Sequence, residues 1–204
     1  MGLKIRELKK RDINKAIQFA IVGMHFDWYT DSKTGLALYG RYFWYLETNR
    51  ATQIIAVYDG DTLAGVLLAE LKGERSCYRS YWKAVYVKVF DFLQRKLFPG
   101  GAGVYDETNR LMFRKYAQTH EPDGEIIFLA ANPDVKIKGI GSMLLGELER
   151  RERGKEVYLY TDNACTYQFY EHRGFERVGG KDIVLEFGKK KVPLTCLLYA
   201  KVLG

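Results

Sequence analysis

Sulfur and imidazole are scarce in this chain, and what there is lies scattered. Cys77, Cys165 and Cys196 stand far apart with no Cys-x-x-Cys pair, which excludes a disulfide framework and a cysteine zinc cluster. His25, His120 and His172 are just as dispersed, so no metal is expected. No apolar run approaches the roughly 18 residues of a membrane-spanning helix. The opening Met1-Gly2-Leu3-Lys4-Ile5-Arg6-Glu7 also lacks the hydrophobic core of a secretory signal. A cytoplasmic protein with no membrane partner is expected. Internal repeats, low-complexity linkers and long blocks of one charge are missing too. The excess of 32 Lys and Arg over 25 Asp and Glu gives +7, but the signs are mixed along the chain, and the run Lys189-Lys190-Lys191 reads as a solvated turn. That disfavours a nucleic-acid partner and suits a small ligand rich in phosphate.

What is present is ordinary globular material, 47% hydrophobic and 28% charged, and 204 residues suffice for one domain with an insertion. Residues 3–8 alternate as a half-buried strand. Asp12 is placed to cap a helix with Ile13, Ala16, Ile17, Ala20 and Ile21 on one face. Residues 24–46 are unusually aromatic (Phe26, Trp28, Tyr29, Tyr39, Tyr42, Phe43, Trp44, Tyr45), with a helix expected over 36–48. Most of these rings are expected in the core and some along a pocket, where Asp27, Asp31 and Glu47 offer charge to a cationic substrate. Residues 53–58 and 63–69 flank Asp59-Gly60-Asp61 as a hairpin. Residues 72–123 read as an insertion of two helices, the first with Tyr81, Trp82, Val85, Val89, Phe92, Leu93 and Leu97, the second with Leu111, Met112, Phe113 and Tyr116. A break at 98–103 separates them, and the pair serves as a cap or as a lid. Then come a strand at 124–131, a helix to about 153, a strand at 157–160 and a helix from 163 stopping at Gly174. Strands at 175–178, 183–187 and 194–202 follow, the last two joined across 188–193.

The strand at 126–131 runs through Asn132-Pro133-Asp134-Val135 into Lys136-Ile137-Lys138-Gly139-Ile140-Gly141 and a helix. Glycines let backbone approach a ligand, and a helix start offers unpaired N–H groups and the positive end of its dipole, so this is an anion site suited to phosphate. A dinucleotide fold would place its glycines directly after the strand and add a third, with an acid about 20 residues on. Asp162 supplies the acid, but residues 132–138 intervene, Leu144 holds the third glycine position, and antiparallel hairpins flank the unit.

Residues 136–141 resemble instead the Arg/Gln-x-x-Gly-x-Gly/Ala loop of the GNAT (Gcn5-related N-acetyltransferase) superfamily, with Lys136 where the family has Arg or Gln. Asn163, Tyr170, Gly174 and Phe175 are similar to its Asn…Tyr-Glu-x-x-Gly-Phe helix, with Thr166 in place of the usual Ala. The likeness is firm over 125–178, looser over 3–71, and absent from the insertion, so the subfamily is unassigned. It implies an α/β (α+β) GNAT fold over residues 1–204, a mixed, mostly antiparallel twisted sheet flanked by helices, with the helical insertion 72–123 before the fourth strand.

The resemblance further implies an N-acetyltransferase moving acetyl from acetyl-CoA to a primary amine by direct transfer, without metal. The pyrophosphate falls to Lys136, Ile137, Lys138, Gly139, Ile140, Gly141 and Ser142, and pantetheine to Leu129, Ala130 and Ala131. Asn163 holds an amide, and Tyr167 completes the cofactor-binding set. Tyr170 is the expected acid toward the thiolate and Glu125 the expected base, with Glu70 and Glu47 as substitutes. Cys165 has no histidine paired with it in sequence, which weighs against an acyl-cysteine route. The acceptor is a small-molecule or peptide amine, and a homodimer is compatible with the reading. Transfer of a longer acyl group, a non-catalytic acyl-CoA-binding module and a nucleic-acid module stand as alternatives.

Overall fold

The computed structural model describes residues 2–28, 32–78, 80–97, 102–187 and 190–204. Strand β1 (Leu3–Arg6) leads to helices α1 (Ile13–Gly23) and α2 (Lys33–Arg50), and these to the hairpin of β2 (Gln53–Asp59) and β3 (Thr62–Leu71). The hairpin forms where expected because Gly60, at φ 58, takes the left-handed conformation of its turn at little steric cost. Asp12 does precede α1, but it makes no side-chain cap. Its Oδ2 accepts from the Tyr58 hydroxyl at 2.9 Å instead, tying the helix start to β2. Helix α2 starts earlier than the aromatic pattern suggests because Ser32 caps it, its Oγ accepting from the Gly35 N–H.

Two helices do occupy the segment after β3, α3 (Tyr81–Leu97) and α4 (Ala102–Tyr116), and they pack in different places. Tyr86 and Phe90 of α3 meet Tyr45 and Tyr42 of α2. In α4, Met112 and Tyr116 are buried against Cys196, Leu198 and Ala200 of the last strand. Of the expected break, residues 98–101 lie outside the described residues, and Gly103 is already helical.

Strand β4 (Gly124–Ala131), helix α5 (Ile140–Arg151), strand β5 (Glu156–Asp162), helix α6 (Gln168–Glu171), β6 (Glu176–Phe187) and β7 (Lys190–Val202) complete the chain. The seven strands lie in the order β1-β2-β3-β4-β5-β7-β6, antiparallel except for β4 beside β5. The mixed, mostly antiparallel sheet is therefore as expected. Its last hairpin differs. The two strands expected at 175–178 and 183–187 are one, since Gly179 and Gly180 pair with Leu198 and Leu197 across a register shift at Val178. Pro193 sits inside β7, opposite Val184. It is tolerated because β5 reaches β7 only from Cys196 onward, so no ladder bond is lost there. Residues 188 and 189 lie outside the described residues, and with them part of the expected Lys189–Lys191 turn.

Helix α5 covers one face of the sheet, burying Leu144, Leu145 and Leu148 against Leu67, Ile126 and Leu159. Helices α1 and α2 cover the other, with Phe19 and Trp44 against Val66, Leu68 and Phe128. The side chains of β4 change face midway. Leu68 pairs with Phe128 and Ala69 with Ile126, so Ile127 is an extra, bulged residue. Beyond the bulge β4 no longer follows β5, and the parallel pairing is confined to Gly124 with Val157 and Glu125 with Tyr158. The sheet opens as a V.

Helix α5 can enter so close to that opening because β3 carries glycine beneath it. A Cβ on Gly65 would stand 2.5 Å from Ile140 Cγ2 and 3.0 Å from the Ala130 carbonyl oxygen. Gly65→Ala is expected to cost about 1–3 kcal/mol in urea unfolding, because it wedges the first turn of α5 off the sheet.

Candidate functional site

The turn between β4 and α5 is built from its own polar groups. Asn132 is buried, its Nδ2 donating to the Leu63 carbonyl at 3.0 Å and its Oδ1 accepting from the Asp134 N–H at 3.0 Å. Gly139 then takes φ 89 as the residue before α5, a conformation that residues with a Cβ rarely adopt. Gly141 has another reason to be glycine. A Cβ there would lie 3.1 Å from the Phe169 ring, so its absence lets that ring close over the helix start. Ser142 Oγ accepts from the Arg173 guanidinium, which also lies 5.8 Å from the Phe169 ring centroid. Arg173 thus adds a cation at the positive end of α5.

A cleft of about 1270 Å³ runs from this helix start through the V of the sheet. Its wall includes Ile137, Gly139, Ile140, Gly141 and Ser142 at one end and Leu129, Ala130 and Ala131 along β4. Glu125 and Tyr170 line it as well. Four of the expected site residues do not. Lys136 and Lys138 are exposed beside it. The Asn163 Oδ1 accepts from the Thr195 N–H at 2.9 Å, so its carboxamide is turned to β7 and lines a separate hollow. Tyr167 packs on the α5-side core.

The motif helix is shorter than its sequence suggests. Only Gln168–Glu171 is helical, because Asp162 captures the preceding backbone, its Oδ1 accepting from the N–H groups of Ala164 and Cys165. Gly174 at φ 75 ends the turn. Tyr170 is held edge-on by Phe169, Phe175 and the tilted ring of Tyr199. Its hydroxyl makes no hydrogen bond among the described residues, and burial lifts the phenol well above its ordinary range. It is an uncommitted, neutral donor in the cleft. Cys165, which also lines the cleft, is pushed up to about 12 by burial and by Asp162, so it is a thiol and not a nucleophilic thiolate.

At the closed end of the V, three glutamates share one arginine. Arg50 Nε donates to Glu47 at 2.6 Å, and one terminal nitrogen donates to both Glu70 and Glu125 at 2.8 Å. The other reaches the second Glu125 oxygen at 3.1 Å. The Tyr158 hydroxyl also donates to Glu125, at 3.3 Å. Glu47, Arg50 and Glu125 line the cleft, whereas Glu70 stays outside the wall. Burial, opposed by Arg50, raises Glu47 from 4.5 to about 7, a value suited to exchanging protons near neutral pH.

The aromatic segment serves core and cleft together. Phe26 and Trp44 are buried, while Phe26, Trp28, Tyr39, Tyr42 and Phe43 contribute to the wall. His25 lines it in the left-handed region at φ 52, its ring stacked 4.6 Å from Trp28. Asp27 lies off the wall, and Tyr29 and Asp31 lie outside the described residues. On the far side Tyr105, Asp106, Asn109 and Phe113 of α4 form a wall that the sequence leaves unassigned. Among the described residues no helix is long and apolar enough to cross a membrane.

The Acetyltransferase (GNAT) family model matches residues 23–175. No curated protein sequence matches the chain. Solved structures share its fold at low identity. The histone acetyltransferase HPA2 and related acetyltransferase from Corynebacterium glutamicum is 16% identical with a TM-score of 0.57, covering 97% of this chain and 96% of that one. The PaiA N-acetyltransferase from Thermoplasma acidophilum, solved in complex with coenzyme A, is 16% identical with a TM-score of 0.53, covering 99% of each chain. An N-acetyltransferase from Staphylococcus aureus is 15% identical with a TM-score of 0.53, covering the full length of both.

Proposed function

Because the chain belongs to the GNAT acetyltransferase family, we propose that it transfers the acetyl group of acetyl-CoA directly to a primary amine. The observation that carries this reading is the opening of β4 from β5 beyond Glu125, which joins the glycine-led start of α5 to a half-buried phenol and a carboxylate cluster in one cleft. The turn fits a pyrophosphate: Gly139 leaves open space before the helix start, Gly141 makes room for the Phe169 ring beside it, and Ser142 and Arg173 bring a hydroxyl and a cation. Lys136 and Lys138 act from outside the wall as long-range charge. The edge of β4 from Leu129 to Ala131, unpaired on the β5 side, offers its backbone to the pantetheine amides. Asn163, its oxygen bonded to Thr195, and Tyr167, packed on the core, stand off this wall.

Acetyl-CoA supplies an activated acyl carbon. The amine nitrogen forms its bond to that carbon while the carbon–sulfur bond breaks, and Tyr170 gives its proton to the departing sulfur. The amine's proton passes to Glu125, the carboxylate held at the end of the V, with Glu47 behind it across Arg50 as a second acceptor poised near neutrality. Helix α4, from the segment expected as an insertion, forms the acceptor wall. Calorimetry with acetyl-CoA together with thiol release against a panel of primary amines tests the proposal. Sub-millimolar binding and amine-dependent release are expected. Absence of binding overturns it, and binding without release from any amine reduces the chain to a sensor.

A further inference from the structure

Helix α4 carries polar groups that the transfer reaction leaves unused. Asn109 is only 6% exposed and lines the cleft, yet its side-chain oxygen has no hydrogen-bond partner. A buried acceptor without a donor is rare in a folded protein and asks for a ligand. Asp106, almost one turn earlier on the same face, opens into the same cleft and has no cationic partner among the described residues. Arg110, the neighbouring cation in this wall, is turned onto Glu107.

These groups connect to the reacting end of the cleft. Phe113, one turn further along α4, lies 4.4 Å from the Tyr158 ring, and the Tyr158 hydroxyl donates to Glu125. Aromatic surface therefore runs from Asp106 and Asn109 to the carboxylate cluster, with Tyr105, Phe113 and Tyr160 facing the cleft. The chain as a whole is +7, but here Arg50 is committed to three glutamates, and the Asn109 oxygen on α4 is an acceptor without a donor.

We propose that Asp106 and Asn109 form a subsite for a second cation of the acceptor, so that the preferred substrate is a chain with an amine at one end and an ammonium or guanidinium at the other. One end meets Glu125 and Glu47, the methylenes lie along Phe113 and Tyr160, and the far cation donates to the Asp106 carboxylate and the Asn109 oxygen. A neutral or anionic far end leaves those acceptors unpaired and is rejected. This inference rests on the amine-transferase reading, and binding separates the two.

The experiment titrates 1,5-diaminopentane and pentylamine into protein saturated with coenzyme A, which carries no acetyl group to transfer. The diamine is expected to bind about tenfold more tightly, with Asp106→Asn removing most of that margin and Asp106→Glu retaining it. The kcat/KM ratio of the two amines with acetyl-CoA is expected to follow the same pattern. Asp106 is on an exposed helix face, so the variants should melt with the wild type. Equal affinities, a loss shared equally by both amines, or no diamine binding at millimolar concentration overturns the subsite. Asp106-dependent diamine binding without thiol release keeps the subsite and fails the transferase reading. Thiol release with no preference for the diamine does the reverse.

Discussion

Tyr170→Phe is expected to lower kcat at saturating acetyl-CoA by about 10²–10³-fold while leaving coenzyme A affinity within about twofold. The substitution removes one oxygen and keeps the ring. The ring makes the packing contacts, with Phe169, Phe175 and Tyr199, whereas the hydroxyl has no partner among the described residues, so stability should hold. What disappears is the proton for the departing sulfur, a contribution made only as the carbon–sulfur bond breaks, so the loss belongs in kcat and not in binding. The raised phenol also fixes the sign of the pH dependence. Tyr170 stays protonated throughout the working range, so the alkaline side of the wild-type profile should show no loss from this group up to and beyond pH 10. Single-turnover thiol release across pH is the measurement. An unchanged kcat in the Phe variant, or an alkaline limb near pH 8 that vanishes with it, removes Tyr170 as the acid.

The parts of this site that the sequence displays are those set by local chemistry. The hairpin at Gly60, the helix start at Gly139 and the stop at Gly174 each depend on a glycine in the left-handed region, and each stands where the pattern put it. The parts it hides depend on partners far along the chain. Arg50 draws Glu47, Glu70 and Glu125 together from α2, β3 and β4, and no spacing announces that they meet. The Ile127 bulge is invisible because an extra strand residue is defined only by the strand opposite, here Leu68 and Ala69. Asp12 reads as a cap, yet Tyr58 engages it, and Asn163 turns its oxygen to Thr195 of the last strand, since a short polar side chain takes the nearest partner. Helix α6 is overestimated because Asp162 satisfies the backbone of residues that the apolar spacing assigns to a helix.

Arg50→Met should have the largest effect on stability, about 3–5 kcal/mol at neutral pH, because it leaves Glu47, Glu70 and Glu125 together without their shared cation. The three carboxylates would then repel one another at the end of the V, so the deficit should shrink as acid protonates them. Glu47 alone predicts a slope in the wild type. Its folded value of about 7 lies above the 4.5 of an unperturbed glutamate, so between those values the folded chain binds the extra proton. The stability that Glu47 contributes is fully present below pH 4.5 and lost as pH rises through 7, a change of about 3 kcal/mol. Glu147, lowered to about 2 by Arg150 and Arg151, behaves oppositely and at lower pH, its contribution present above 4.5 and lost as pH falls through 2. Urea unfolding of wild type and Glu47→Gln from pH 4 to 8 separates them. The glutamine variant should match the wild type near pH 4 and exceed it progressively toward pH 7.5, because it has no charge to desolvate. Parallel curves would mean that Arg50 holds Glu47 ionised throughout, and would withdraw it as a proton acceptor behind Glu125.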